Sequence, residues 1–187
     1  MTRKLVITQN ITLDGVIGGA GWFDPTEDNP RGRELAAITR SQAAASDGFL
    51  VGRVTFEQMR GFWPQQAADA TGVTDHLNRV QKYVVSSTLQ DPGWDGTTVL
   101  RGGEDLQREI GELTQQPGAD IVLTGSVTLA HRLLALRLVD ELRLFMHPVV
   151  LGAGERLFPD GLDIPSLELL EQQQIHGVTV SRYVIAR

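Results

Sequence analysis

The sequence predicts a single-domain α/β protein spanning 1–187, with one mixed sheet of about eight strands flanked by helices. Two observations carry that expectation. Up to Asp140, short β-branched runs alternate with helix-period segments, the pattern of parallel strands joined by crossover helices. Beyond Asp140 the strand-like runs follow one another with no helix between them, which implies antiparallel pairing. A length of 187 residues, 41% hydrophobic and 21% charged, suits one well-buried core. No internal repeat, low-complexity tract or linker interrupts it.

Leu5-Val6-Ile7-Thr8 reads as a central strand. A loop from 11 to 28 follows, in which Gly15, Gly18, Gly19, Gly21 and Pro25 break every periodicity. A glycine-rich loop of that length suits a lid or binding loop, and its Trp22 and Phe23 need a surface to pack on. Residues 31–46 read as a helix with Leu35, Ile38 and Ala45 on one side. Phe49-Leu50-Val51 is a strand that meets Gly52-Arg53 and gives way to a helix carrying Phe56, Met59 and Arg60 on one face. Pro64 stops that helix, and 65–80 is polar, with room for one short helix.

Strands are expected at 82–86 and Thr97–Leu100, closing on Ser86-Ser87-Thr88 and Arg101-Gly102-Gly103. Leu106, Ile110 and Leu113 lie at i, i+4 and i+7 of a helix ended by Pro117-Gly118. Asp120 opens a strand that runs through Gly125-Ser126 into a helix expected to bury Val127, Ala130 and Leu134. Residues 141–150 alternate, Gly152-Ala153-Gly154 turns the chain, and 167–170 and Val178–Ile185 are two further strands.

A formal net charge of -6 with no Lys/Arg cluster argues against general nucleic-acid binding. The absence of cysteine excludes disulfides, thiolate catalysis and cysteine-held metals. Met1-Thr2-Arg3-Lys4 lacks the features of a signal peptide, and no run is long enough to span a bilayer, so a cytoplasmic enzyme or binding protein is expected. His76, His131 and His176 are scattered, and no metal site is expected. His147 before Pro148 reads as a packed strand-end residue, and Asp14 before Gly15 as a turn former.

Chemistry is suggested by the strand-to-helix junctions. Gly52-Arg53 and Gly125-Ser126 each put backbone N–H groups and a positive helix end at a strand tip, and Arg53 adds a guanidinium. Ser86-Ser87 and Arg101-Gly102 lie at two more strand ends. Ligands collect at the carboxyl ends of parallel strands, and four such tips would suit a dinucleotide with several phosphates. Neither G-x-G-x-x-G nor a P-loop occurs.

Several motifs, in order, resemble the dihydrofolate reductase superfamily. They are Ile11-Thr12-Leu13-Asp14-Gly15-Val16-Ile17-Gly18 and Val51-Gly52-Arg53-Val54-Thr55-Phe56-Glu57, then Val85-Ser86-Ser87-Thr88-Leu89 and Leu123-Thr124-Gly125-Ser126. Val139-Asp140-Glu141-Leu142 follows, leading to His147-Pro148-Val149-Val150-Leu151-Gly152. Within the superfamily, the chain is most similar to the reductase (C-terminal) domain of the riboflavin-biosynthesis deaminase/reductase, without that protein's zinc deaminase motif. The resemblance implies an oxidoreductase of that fold that uses NADPH, acts on a small substrate and forms a homodimer. It implies phosphate contacts from Gly52, Arg53 and Thr55, and adenosine-end contacts from Ser86 and Ser87 with Arg53 or Arg101. Gly125, Ser126 and Val127 would cradle the pyrophosphate, and Asn10 and Ile17 would border the nicotinamide beneath the 18–28 loop. Trp22, Phe56 and Trp63 are candidates to wall a planar substrate, or else core residues. Dihydrofolate reductases anchor the pterin on an acid of the first helix; Asp24, Glu27, Asp28 and Glu34 are all open for that role, and no catalytic residue is singled out. A nucleotide-binding module without turnover and an interaction protein remain the alternatives.

Overall fold

A computed structural model describes residues 3–18, 21–24, 27–66, 69, 71–164 and 166–186. Gly19 and Pro25, named above as breakers in the glycine-rich loop, lie outside the described residues. The strands are β1 (Leu5–Thr12), β2 (Ser46–Gly52), β3 (Gln81–Val85), β4 (Thr97–Leu100), β5 (Asp120–Leu123), β6 (Glu141–His147), β7 (Leu167–Ile175) and β8 (Val178–Ile185). The helices are α1 (Pro30–Ala44), α2 (Arg53–Phe62), α3 (Val73–Arg79), α4 (Leu106–Gln115) and α5 (Val127–Ala135).

All eight strands form one sheet in the order β4-β3-β2-β5-β1-β6-β8-β7. Every pairing from β4 across to β6 is parallel, so the carboxyl ends of six strands share one edge of the sheet. Only β6–β8 and β8–β7 are antiparallel. The antiparallel part thus begins later than the change of texture at Asp140 suggests. α5 carries the chain back across the sheet before β6, so β6 enters beside β1 in the same direction.

Alternation along the central strands divides the sheet into two faces. Leu5 and Ile7 of β1 pack with Leu50, Ile121 and Leu123 under α4 and α5. α4 buries Leu106, Ile110 and Leu113, as its period requires. α5 buries Leu129, Ala130, Leu133 and Leu134, while Val127, in the first turn, is only half-buried. On the opposite face, Phe49, Val51 and Val84 pack with Phe56 of α2 and Leu77 of α3. α1 lies over the same face near β6 and β8, with Leu35 against Phe145, Val178 and Val180. It starts at Pro30 after an Asn29 cap whose Oδ1 accepts from Gly32 N at 2.8 Å. β6 departs from the expected alternation, since six of its seven residues are buried; as an inner strand it is covered on both faces.

The amino edge of the sheet is held by charge. Glu141 is fully buried, and its Oε1 accepts from Arg143 Nε at 2.7 Å and Arg182 Nε at 2.9 Å. Arg143 also donates to Asp120 Oδ2 at 2.6 Å, and Arg3 pairs with Asp47. Burial pushes the Glu141 carboxyl up, but hydrogen bonds from Arg182 and Arg143 outweigh it and hold the pKa at about 2, against an ordinary 4.5. Asp14, read as a turn former, does more than that. It accepts from Thr12 Oγ1 at 2.6 Å and from Gly152 N at 2.8 Å, which ties the end of β1 to the turn beyond β6. Among the described residues, no helix is long and apolar enough to cross a membrane.

Because the Glu141 pKa falls on folding, its contribution to stability is complete above pH 4.5 and is lost as the pH drops toward 2. Glu141→Gln is expected to cost about 3 kcal/mol at neutral pH, because it removes the buried carboxylate that Arg143 and Arg182 share. Urea melts of the variant should also show a flatter pH dependence than wild type between pH 4.5 and 2; parallel pH curves would refute the assignment.

Candidate active site

β2 and β5 are neighbours and parallel, so the helices that follow them start side by side. Gly52, the cap of α2, donates its N–H to Oγ of Ser126, the cap of α5, at 2.9 Å. Gly52 has no side chain to cap α2 and the Ser126 hydroxyl does not cap α5, leaving the first-turn N–H groups of both helices without that acceptor. Gly125 has φ +74°, and a Cβ there would stand 3.0 Å from Thr55 Cγ2. Gly52, Thr55, Gly125 and Ser126 therefore make one cradle, with Arg53 and Val127 opening the two helices. Arg53 is about half exposed and bound to Glu57 at 2.9 Å, an exposed pair of small energy that leaves the guanidinium able to turn to another anion.

Farther along the same edge, Ser86 is buried and accepts from Leu89 N at 2.9 Å, while Ser87 is exposed. Arg101 Nη1 donates to Leu89 O at 3.2 Å, which brings the tips of β3 and β4 together. Gly102 sits at φ +69°, where a Cβ would lie 2.7 Å from Val85.

Beside the cradle, a cavity of about 390 Å³ lies between α1 and the sheet. Its sheet wall is Thr8 and Asn10 of β1, Val122 and Thr124 on the β5 side, and Phe145 and His147 of β6. Thr124 precedes Gly125, so cavity and cradle meet at the end of β5. Trp22, Phe23, Met59 and Trp63 complete the aromatic and apolar wall. Phe56 does not belong to it. Lying one turn into α2, directly over β2 and β3, it is fully buried, and its ring stacks on Trp94 at 5.8 Å. Met59, three residues on, faces the cavity in its place. Ile17, beyond the end of β1, is half-buried and bonded through its N–H to Glu155 O at 2.8 Å, outside this wall.

The four acids left open by the sequence separate in space. Asp24 and Glu27 line the cavity. Asp28 is at the surface with Arg33 at 2.8 Å, and Glu34 faces outward to His176 at 3.1 Å. Arg31, the second residue of α1, donates to Glu27 Oε2 from Nε at 3.0 Å and to Oε1 from Nη2 at 2.8 Å. The backbone is fitted to this arrangement, for a Cβ on Gly32 would stand 1.9 Å from the Glu27 carbonyl oxygen.

His147 is in the cavity wall, a position that its sequence context did not disclose. It is buried, with Trp22 and Phe23 each at 5.4 Å in edge-on contact. Its Nε2 lies 3.0 Å from Asn10 Oδ1, an atom that only accepts, so Nε2 carries the proton. Burial pushes the imidazole pKa down and nearby Arg31 adds to this, against the weaker pull of Glu27. The neutral ring is thus left with Nδ1 as an acceptor.

A mixed sheet of this topology, with a cradle at the carboxyl edge and a cavity under the first helix, has the dihydrofolate-reductase-like fold. A putative riboflavin biosynthesis protein from Shewanella sp. PV-4 superposes with TM-score 0.75 at 19% identity over 100% of both chains. Dihydrofolate reductase from Enterococcus faecalis, in complex with NADP(H), superposes with TM-score 0.59 at 18% identity, covering 98% of this chain and 96% of that one. The chain belongs to the RibD C-terminal domain family, whose model matches residues 3–181. It is also 30% identical over 164 residues to the uncharacterized protein YyaP of Bacillus subtilis (strain 168), covering 84% of this chain and 81% of that protein.

The His147–Asn10 pair predicts a defined tautomer. Long-range proton–nitrogen NMR at neutral pH should show Nε2 protonated and Nδ1 bare; the opposite tautomer would mean that Asn10 presents its amide nitrogen to the ring. Asn10→Asp should raise the His147 pKa by about one unit or more, since a carboxylate at that distance favours the imidazolium.

Proposed function

We propose that the protein is an NADPH-dependent reductase working in the cytoplasm on a small heterocyclic substrate. The reaction is hydride transfer to a C=N or C=O carbon of a pteridine- or aminopyrimidine-like compound, of the 5-amino-6-(5-phosphoribosylamino)uracil reductase type. The observation that carries this reading is the meeting of cradle and cavity at Thr124-Gly125, which would set the reactive end of a phosphate-anchored cofactor against a substrate in the cavity. The cradle fits such a group: a side chain at Gly125 would crowd Thr55 and fill the space between the two helix starts. Bound there, NADPH would supply the hydride, while the π electrons of the reduced bond move to nitrogen or oxygen, which takes a proton from water.

In this reading Gly52, Arg53 and Thr55 hold phosphate oxygens, and Gly125, Ser126 and Val127 enclose the pyrophosphate. Ser86, Ser87 and Arg101, gathered around Leu89, receive the adenosine end, and Arg53 reaches its 2′-phosphate. Asn10, fixed by His147, presents its amide nitrogen toward the nicotinamide side, which Ile17 borders. Trp22 and Phe23 pack on His147 and shield the reacting carbon from water. Of the acids, Asp24 and Glu27 are placed to meet a substrate.

We further propose a homodimer joined through β7. Eight of the nine residues of this edge strand are exposed, with Leu167 at 41%, Leu169 at 48% and Leu170 at 47%. A bare edge carrying three leucines is the surface a second copy would cover. Light scattering at micromolar concentration should return twice the chain mass, and Leu169→Lys should restore the monomer.

Adding protein to NADPH should change the fluorescence of the reduced cofactor; no change at high protein concentration would exclude the cofactor site. Binding without oxidation across a broad heterocycle panel would favour a non-catalytic module. Arg53→Ala should weaken NADPH about tenfold while leaving NADH nearly unchanged, because a charge-assisted contact to the 2′-phosphate is worth about 1.5 kcal/mol. Equal losses for the two cofactors would remove Arg53 from that role.

A further inference from the structure

His147 and Asn10 form a pair that the fold holds in place before any ligand arrives. Asn10 is in β1 and His147 ends β6, strands in parallel register with Asn10 opposite Phe145 and Thr12 opposite His147. His147 is buried, and Trp22 and Phe23 press edge-on against its ring, each with its centroid 5.4 Å away. His147 Nε2 donates to Asn10 Oδ1 at 3.0 Å, a bond that uses one polar atom of each side chain. Left over are His147 Nδ1, which accepts in the neutral ring, and Asn10 Nδ2, which only donates. Among the described residues, nothing donates to the first and nothing accepts from the second. Neither is one of the sealed, unpartnered atoms of the same cavity wall, which are Thr8 Oγ1, Trp22 Nε1 and Gln42 Oε1.

An acceptor and a donor on two side chains bonded to each other have a definite complement. A carbonyl oxygen would take the N–H of Asn10, and an N–H beside that carbonyl would give to His147 Nδ1. Together those two groups are the edge of an amide. A ligand lacking either half displaces water from a buried polar atom and returns nothing, the condition under which a site discriminates most strongly. Burial and the nearby Arg31 charge keep the imidazole neutral against the weaker pull of Glu27, so Nδ1 stays an acceptor. Both residues stand in the wall of the cavity that meets the cradle at Thr124-Gly125.

We propose that Asn10 Nδ2 and His147 Nδ1 together read an amide edge, a carbonyl next to an N–H, on the molecule bound in this cavity. The proposal rests on the reductase reading for the identity of that molecule and adds the two residues that select it. Two sources carry the edge: the lactam of a pteridine- or aminopyrimidine-like substrate, and the carboxamide of the nicotinamide. The chemistry recognised is the same, and the experiment separates the sources.

The test uses the whole chain and two matched pairs of ligands. Quinazoline-2,4-dione is compared with its 1,3-dimethyl derivative, which keeps both carbonyls and loses both N–H groups. NADPH is compared with reduced 3-acetylpyridine adenine dinucleotide phosphate, in which a methyl ketone replaces the carboxamide. Dissociation constants come from calorimetry, so no turnover is needed. At least about a tenfold preference for the amide member, a difference of about 1.4 kcal/mol, is expected in one of the pairs. His147→Phe, which keeps a ring against Trp22 and Phe23, should erase it. Preference within the dione pair assigns the edge to the substrate, and preference within the cofactor pair assigns it to the nicotinamide. In the unaltered protein, the His147 Nδ1 resonance should move upfield when the preferred ligand binds, a signature that does not depend on the variant folding. No preference in either pair, a preference that survives in His147→Phe, or an unmoved Nδ1 resonance would overturn the proposal. A dione preference with no NADPH binding would leave it standing and remove the reductase reading instead. NADPH binding and oxidation with no preference in either pair would do the reverse.

Discussion

The geometry of the site depends on the parallel pairing of β2 with β5. That pairing delivers two helix starts to one point, where the Gly52 N–H reaches the Ser126 hydroxyl. Parallel strands demand a crossover for every step, so helices must cover both faces and their amino ends must gather at the carboxyl edge. A cradle of backbone N–H groups is therefore a by-product of topology, and glycine at 52 and 125 keeps it open. β1, paired on either side with β5 and β6, sets Thr8 and Asn10 on the face under α1 and places the cavity against that cradle.

Polar groups are treated differently at the two edges of the sheet. At the amino edge, Glu141, Arg143, Arg182 and Asp120 form a buried network that anchors β6 and β8. Its centre is the fully buried Glu141 carboxylate, shared by Arg143 and Arg182, and removing a carboxylate so placed is costly. At the carboxyl edge, the cap hydroxyl of Ser126 is turned across to the neighbouring helix, and glycine occupies positions where side chains would intrude.

Much of the fold was legible from residue spacing. The period of Leu106, Ile110 and Leu113 reports the buried stripe of α4 directly, because a helix facing a sheet has one apolar side. The strand-to-helix junctions were equally plain, since Gly52-Arg53 and Gly125-Ser126 each end an apolar run. Less legible were features that depend on what lies opposite. β6 reads as alternating, yet as an inner strand it is buried on both faces. Phe56 suggests a substrate wall by residue type, but its place over β2 and β3 commits it to the core. His147 sits more than 130 positions from Asn10 along the chain, and only the register of β1 with β6 joins them.

The sequence by itself determined the element order, the change from parallel to antiparallel pairing and the glycine-marked junctions at the strand tips. These follow from local physics: side-chain periodicity, glycine at tight junctions and caps at helix starts. Only the tertiary structure decided which acids face the cavity, which aromatic rings wall it, and that Arg31 pairs with Glu27 beside it. Those facts arise from contacts between segments far apart in the chain, where strand register and helix docking, rather than any neighbouring residue, set what each side chain meets.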